Sequence, residues 1–161
     1  PWTAEATTGL GAEDTVLILG TGLTMVDMAL RLVDEGFRGR ILALSRRGLL
    51  PHRHGVQQPF VSISERPAPR ASTLVREVRQ RAEAVGWRNA VDELRPYTQS
   101  LWRAATRDAR ARFLRHLRPW WDIHRHRLAP TVAERIGAML ASKLLATIAA
   151  STRFAEPAAG G

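Results

Sequence analysis

The chain of 161 residues is 45% hydrophobic, has a formal net charge of +9 and contains no cysteine. The absence of cysteine excludes disulfides and thiolate metal sites, and no apolar run approaches the roughly 20 residues that a membrane span needs. Its basic residues, all arginine except Lys143, are spread over several segments, often beside acidic residues. This distribution favours a solvated surface over nucleic-acid binding. We expect a cytoplasmic protein with one domain over residues 1–155 and a disordered tail at 156–161.

The first elements predicted along the chain are a strand, a glycine turn and a helix. Residues 16–19 are four consecutive apolar residues, typical of a strand buried in a parallel sheet. Gly20 and Gly22 follow, and apolar residues then recur at helical spacing over residues 23–35 before Gly36. A second strand is expected at residues 40–44, of which 41–44 are apolar. It completes a βαβ unit, whose two strands should be parallel neighbours.

The remainder of the chain is predicted to be mostly helical. Prolines interrupt every period over residues 48–70, where only a brief strand at 60–63 is expected. From Ser72 the pattern is helical, and a third strand is expected at residues 144–150. The fold class is therefore α/β: a Rossmann-like three-layer domain with a small parallel sheet and a large helical insertion at about residues 72–142. Within the insertion we expect Gly86 to end a helix, Asn89 to cap the next, another to end before Pro119, and the last to begin at Pro130.

The glycine turn suits the binding of a phosphate. Gly20 permits a sharp turn, and Gly22, which lacks a Cβ, allows a diphosphate to approach the backbone at the positive end of the helix. Met25 stands where glycine or alanine permits the closest packing of helix on strand, so the helix should splay or stand further off. An ordinary turn without a ligand is the alternative interpretation.

The end of the second strand indicates which nicotinamide cofactor fits. Binding of NADH usually uses an acidic residue about 20 positions beyond the glycine motif. Ser45, Arg46 and Arg47 occupy that place, and a hydroxyl with two guanidiniums favours the 2′-phosphate of NADPH. The alternative is that both arginines are simply solvent-exposed.

Three segments together give the chain a family resemblance. The Gly-Thr-Gly-Leu-Thr-Met-Val-Asp segment is similar to the second, nicotinamide-binding glycine motif of flavoproteins that have two dinucleotide-binding domains. Over about residues 1–150 the chain resembles the bacterial FAD/NAD(P)-binding proteins, which are related to N-hydroxylating monooxygenases. The segments that resemble this family are residues 20–27, 45–51 and 117–127.

The resemblance implies the NADPH-binding domain of a longer FAD-dependent oxidoreductase. Its partner would be the missing FAD-binding domain of the same polypeptide, so this chain alone would have no turnover and no catalytic residue. The oligomeric state stays open. The alternatives are a non-catalytic nucleotide-sensing or interaction module and a basic helical nucleic-acid-binding domain. The expected cofactor-binding residues are Gly20, Thr21, Gly22, Leu23 and Thr24 for the diphosphate, and Ser45, Arg46 and Arg47 for the 2′-phosphate.

Other residue patterns give weaker indications. His124 and His126 are two apart and point away from each other on a helix, so no metal site is expected. His52 and His54 lie in a loop just after the arginines and are candidates for lining the cofactor cleft. Trp120 and Trp121 are expected to be packing residues rather than a stacking platform for bases.

Overall fold

The computed structural model describes residues 3, 7–55, 67, 70–153 and 155–156. Within this part the chain forms two compact units, the first from Pro1–Pro51 together with Pro130–Gly161, and the second from His52–Ala129. The second unit begins and ends earlier than the insertion expected at about residues 72–142. At the C-terminal limit, the last helix packs against the third strand and belongs to the first unit. The strand expected at 60–63 and residues 157–161 of the tail lie outside the described residues.

The first unit is built on a parallel sheet of three strands. They are β1 (Thr15–Leu19), β2 (Arg40–Ser45) and β3 (Leu145–Ala149), in the order β1-β2-β3. Leu19 pairs with Leu44, and Ser45 pairs with Ala149, so the carboxyl ends of the three strands lie at one edge of the sheet. The α/β, Rossmann-like fold class with a small parallel sheet is confirmed.

Two helices complete the core of this unit. Helix α1 (Leu23–Asp34) follows the glycine turn as predicted, and α6 (Pro130–Ala141) begins at the predicted proline. Both helices pack together, and α6 also contacts β3. The largest fully buried side chains of the first unit come from α1 and from the adjacent strands; they are Met25, Val26, Ile41 and Leu145.

The two faces of the sheet differ in burial. Ile41 and Ala43 on β2 are fully buried. On the opposite face of the sheet, the strand register places Leu17 and Leu19 of β1 in line with Ala146 and Ile148 of β3, with β2 between them. There Leu17 is 54% and Leu19 64% exposed. One apolar face of the sheet is therefore largely uncovered within the described residues. In the described sheet β1 is an edge strand, because it pairs only with β2.

The second unit contains four α-helices in its described part. They are α2 (Ala71–Glu93), α3 (Thr98–Ala104), α4 (Arg107–Arg112) and α5 (Arg118–Arg125). A 3₁₀ turn at Arg95–Tyr97 precedes α3, and a π-helical turn at Phe113–Leu117 joins α4 to α5. The helical segment predicted before Pro119 ends at Leu117, and α5 follows from Arg118 without a break, since proline in the first turn of a helix needs no N–H partner.

The kink in α2 lies at Gly86, where the sequence predicts a helix end. Gly86 has φ +78° and ψ +150°, a conformation that only glycine adopts readily. Asn89 does not cap the next helix as expected. Its side-chain amide instead donates to the carbonyl of Val85 at 2.7 Å, just before the kink. Beyond it, the buried carboxylate of Glu93 accepts two hydrogen bonds from Arg81, at 2.8 and 2.9 Å, which tie the two halves of α2 together.

Burial also corrects one expectation about the tryptophans. Trp121 is partly buried, but Trp120 is 46% exposed and does not act as a core anchor within the described residues. None of the described helices combines the length and apolar character needed to cross a membrane.

Candidate functional site

The glycine turn continues directly from β1. The backbone N–H of Gly20 donates to the carbonyl of Leu44 at 2.7 Å, extending the hydrogen bonds of the parallel pair by one residue. Gly20 has φ +114°, which favours glycine for backbone reasons. Gly22 has φ −84° and ψ −168°, which any residue adopts, and an added Cβ would meet no heavy atom within 4 Å. Neither conformation nor packing within the described chain requires a glycine at position 22.

The turn leads to an open helix N-terminus. Gly22 is the N-cap of α1, without a side-chain cap, and its carbonyl accepts the hydrogen bond of the Val26 N–H at 3.2 Å. Leu23 and Thr24 are exposed in the first turn, which contains no acidic residue. Among the described residues, the backbone N–H groups of Gly22, Leu23 and Thr24 have no acceptor. These donors and the helix dipole make the N-terminus of α1 suitable for an anion.

A hydroxyl network joins this turn to the end of β2. The Thr21 hydroxyl donates to the carbonyl of Leu49 at 2.6 Å, and its oxygen lies 2.9 Å from Oγ of Ser45. Because the Thr21 proton is used on Leu49, the Ser45 hydroxyl donates to Thr21. Oγ of Ser45 in turn accepts from the N–H of Gly48 at 3.0 Å. The side-chain protons of Thr21 and Ser45 are thus engaged within the protein rather than presented to a ligand.

Residues 45–48 form a turn that presents the two arginines. The Gly48 N–H also approaches the Ser45 carbonyl at 3.3 Å, and Ala150 donates to that carbonyl at 2.9 Å. Serine in the first position and glycine in the fourth are favoured in such turns, and Gly48 has φ +61°. Arg46 and Arg47 occupy the two central positions, are exposed, and have no ion-pair partner among the described residues.

The eight predicted site residues therefore belong to one edge of the sheet. The glycine turn and the arginine turn follow neighbouring parallel strands, and the hydroxyls of Thr21 and Ser45 connect them directly. Sequence reasoning missed Leu49, whose carbonyl is the second anchor of Thr21. The serine-to-glycine spacing over residues 45–48 was the available signal for the turn. A cavity of about 260 Å³ lies at the other end of α1, beside Glu35 and Phe37, and the glycine turn itself is open to solvent.

His52 belongs to a ring cluster within the second unit. Its ring is stacked on His124, with centroids 4.7 Å apart, and both rings lie 4.9 Å from Trp87. The backbone holds this arrangement, since the N–H of His52 donates to Ile123 at 3.1 Å and its carbonyl accepts from Leu128 at 2.8 Å. His54 is exposed.

A buried ion pair lies beside these rings. The guanidinium of Arg127 is over the ring of Trp87, 5.3 Å from its centroid, and donates twice to Asp92 at 2.8 and 2.9 Å. Burial raises the pKa of Asp92, but the hydrogen bonds and charge of Arg127, with the charges of Arg88 and Arg95, outweigh it and lower the pKa overall. For His124, burial and the charges of His52 and Arg127 lower the pKa. Sequence reasoning missed Trp87, Asp92 and Arg127, because no local pattern brings them together.

The described residues contain no group of three or more histidine, aspartate or glutamate side chains that could hold a metal ion. Comparison with known proteins adds no assignment: no protein-family model, curated protein or solved structure matches the chain.

Proposed function

We propose that the first unit binds NADPH at the carboxyl edge of its sheet, as the reductant-binding domain of a flavin-dependent oxidoreductase. One observation supports this most strongly. The hydrogen bonds of Thr21 to Ser45 and Leu49 connect an open helix N-terminus to a turn with two exposed arginines that form no ion pair with any described residue. A dinucleotide with a phosphorylated ribose has anionic groups for both places.

The diphosphate would lie at the glycine turn. The N–H groups of Gly22, Leu23 and Thr24, which have no acceptor among the described residues, provide donors, and the absence of a Cβ at Gly22 gives access to them. Within the described residues nothing lies within 4 Å of a Cβ added at position 22, so a ligand could approach the backbone closely there. The exposed hydroxyl of Thr24 is a further donor at the same end of α1.

The 2′-phosphate would lie against Arg46 and Arg47. Both guanidiniums are exposed and lack a described carboxylate partner, so binding a phosphate would not require an existing ion pair to be broken. A guanidinium forms charge-assisted, often bidentate bonds with phosphate, and it has no comparable partner in the 2′-hydroxyl of NADH. The predicted preference is therefore for NADPH.

The hydride acceptor would be a flavin on a separate FAD-binding domain of the same polypeptide. The resemblance to two-domain flavoproteins suggests this partner, and the sheet face that the described residues leave exposed is consistent with one. Leu17 and Leu19 are more than half exposed although they lie on a strand with an apolar sequence. Burial of such residues against a further domain would be favourable.

Calorimetric titration of the purified chain with NADPH, NADH and FAD tests the proposal. We expect NADPH to bind, NADH to bind more weakly, and FAD not to bind. Arg46→Ala/Arg47→Ala should weaken NADPH and leave NADH nearly unchanged. The matched control is Arg76→Ala/Arg79→Ala, which removes two exposed arginines of α2 and the same charge.

Three results would contradict the proposal. Equal affinity for NADPH and NADH would mean that the arginines do not recognise the 2′-phosphate. Equal losses in the site variant and the control would indicate a non-specific charge effect. Salt-dependent binding to duplex DNA, without a response to NADPH, would favour a basic nucleic-acid-binding domain instead.

A further inference from the structure

We propose that Thr21 is a positioning residue that determines selectivity for NADPH over NADH, through the turn that bears Arg46 and Arg47. This inference rests on the proposed function. It assigns to Thr21 no contact with the cofactor. Its hydroxyl instead fixes where the arginine turn lies relative to the glycine turn.

The geometry gives Thr21 two anchors, one at each end of the arginine turn. Ser45 begins the turn and donates to the Thr21 oxygen at 2.9 Å, and Leu49 follows it and accepts the Thr21 proton at 2.6 Å. The three residues between these anchors are Arg46, Arg47 and Gly48, so they include both arginines. Thr21 is 7% exposed, so water has little access to replace its hydroxyl.

Loss of this hydroxyl would affect the two cofactors differently. Thr21→Val keeps the shape of the side chain but leaves the Leu49 carbonyl without its donor and the Ser45 hydroxyl without its acceptor. The arginine turn would then lose its side-chain tie to the glycine turn. NADPH needs both turns at a fixed separation because its anionic groups are joined covalently, whereas NADH uses only the glycine turn.

The test is the ratio of the dissociation constants of NADH and NADPH, measured by calorimetry on the full chain. We expect Thr21→Val to lower this ratio by roughly tenfold, as for the loss of a buried hydrogen bond that supports a charged contact. Thr21→Ser restores the hydroxyl and should keep the ratio within about twofold. Thr15→Val is the matched control, because Thr15 is exposed at the opposite end of β1.

A double-mutant cycle separates positioning from direct contact. Ser45→Ala removes the other hydroxyl and also its bond with the Gly48 N–H. If Thr21 and Ser45 act through one network, the loss of selectivity in Thr21→Val/Ser45→Ala should be smaller than the sum of the two single losses. If the valine variant fails to fold, Ser45→Ala alone provides a readout, because it should also lower the ratio.

Two outcomes overturn the inference. If Thr21→Val leaves both affinities unchanged, the hydroxyl does not position the arginines. If it weakens both cofactors equally, so that the ratio is again unchanged, the hydroxyl acts only on the glycine turn or on the fold. Both are distinct from failure of the proposed function, which the wild-type chain reports by binding neither nicotinamide. In that case the inference is rejected with it.

Discussion

Gly22→Ser tests whether glycine at position 22 is needed for ligand binding rather than for folding. The residue is the N-cap of α1 with φ −84° and ψ −168°, and an added Cβ would meet nothing within 4 Å. Serine is a preferred N-cap residue, so the free energy of unfolding should rise or change by less than about 0.5 kcal/mol. The fold should therefore tolerate the substitution.

Binding should respond in the opposite way. A Cβ and hydroxyl at position 22 would occupy the space through which a diphosphate reaches the first N–H groups of α1. Loss of one hydrogen bond to a charged group costs about 1.5–3 kcal/mol, which corresponds to a roughly 10- to 150-fold higher Kd. NADPH and NADH share the diphosphate, so both should weaken by the same factor. This distinguishes the variant from changes at the arginines.

Gly20→Ala is the informative comparison. Its φ of +114° is unfavourable for a residue with a Cβ, so alanine should lower the free energy of unfolding by about 1–3 kcal/mol. Chemical denaturation and calorimetry on both variants measure the two effects, with Gly137→Ser in α6 as the control for the same chemical change at an exposed position. Wild-type affinity in Gly22→Ser, or a loss of stability as large as in Gly20→Ala, would refute the reasoning.

Three further predictions concern stability. Because burial lowers the pKa of His124, the unfolded chain binds a proton there more readily than the folded chain does, so the stability of the second unit should fall as pH decreases below about 6.5. Urea unfolding followed by tryptophan fluorescence at pH 8 and pH 5 measures this, and equal unfolding midpoints at the two pH values would exclude it. Gly86→Ala should lower the free energy of unfolding by about 1–3 kcal/mol because Gly86 has a positive φ, whereas Gly137→Ala in α6 should raise it by about 0.5–1 kcal/mol. Thermal unfolding measures both effects, and two effects of the same sign would contradict the assigned backbone conformation of Gly86. Ile41→Ala should lower the free energy of unfolding by about 2–5 kcal/mol because Ile41 is fully buried, and Leu19→Ala should lower it by less than about 0.5 kcal/mol. Similar losses for the two variants in chemical denaturation would mean that the sheet face bearing Leu19 is covered.

The elements that the sequence predicts most closely are those with strong local signals. β1, α1 and β2 begin and end within a residue or so of the expected positions. Apolar runs and helical spacing define these elements, and glycines and turn residues bound them. Their order along the chain was sufficient for the fold class, because a strand, helix and strand in about thirty residues have few ways to pack.

The features that the sequence does not reveal depend on contacts between distant residues. Ser45 was expected to face a phosphate, yet its hydroxyl donates to Thr21, which is 24 residues away. No local pattern predicts the exposure of Trp120 or the π-helical turn before it. A sequence therefore indicates which residues gather at a site more readily than which way each side chain turns.

Met25 is the departure from the dinucleotide motif, and its burial reconciles it with the proposed site. Its side chain is 2% exposed and belongs to the core of the first unit. Gly22, three residues earlier, faces open space at the start of the same helix. Met25 is therefore part of the packed core, whereas position 22 has open space in which a diphosphate could approach. Gly22, rather than Met25, is therefore the position at which a substitution should decide whether this turn binds a dinucleotide.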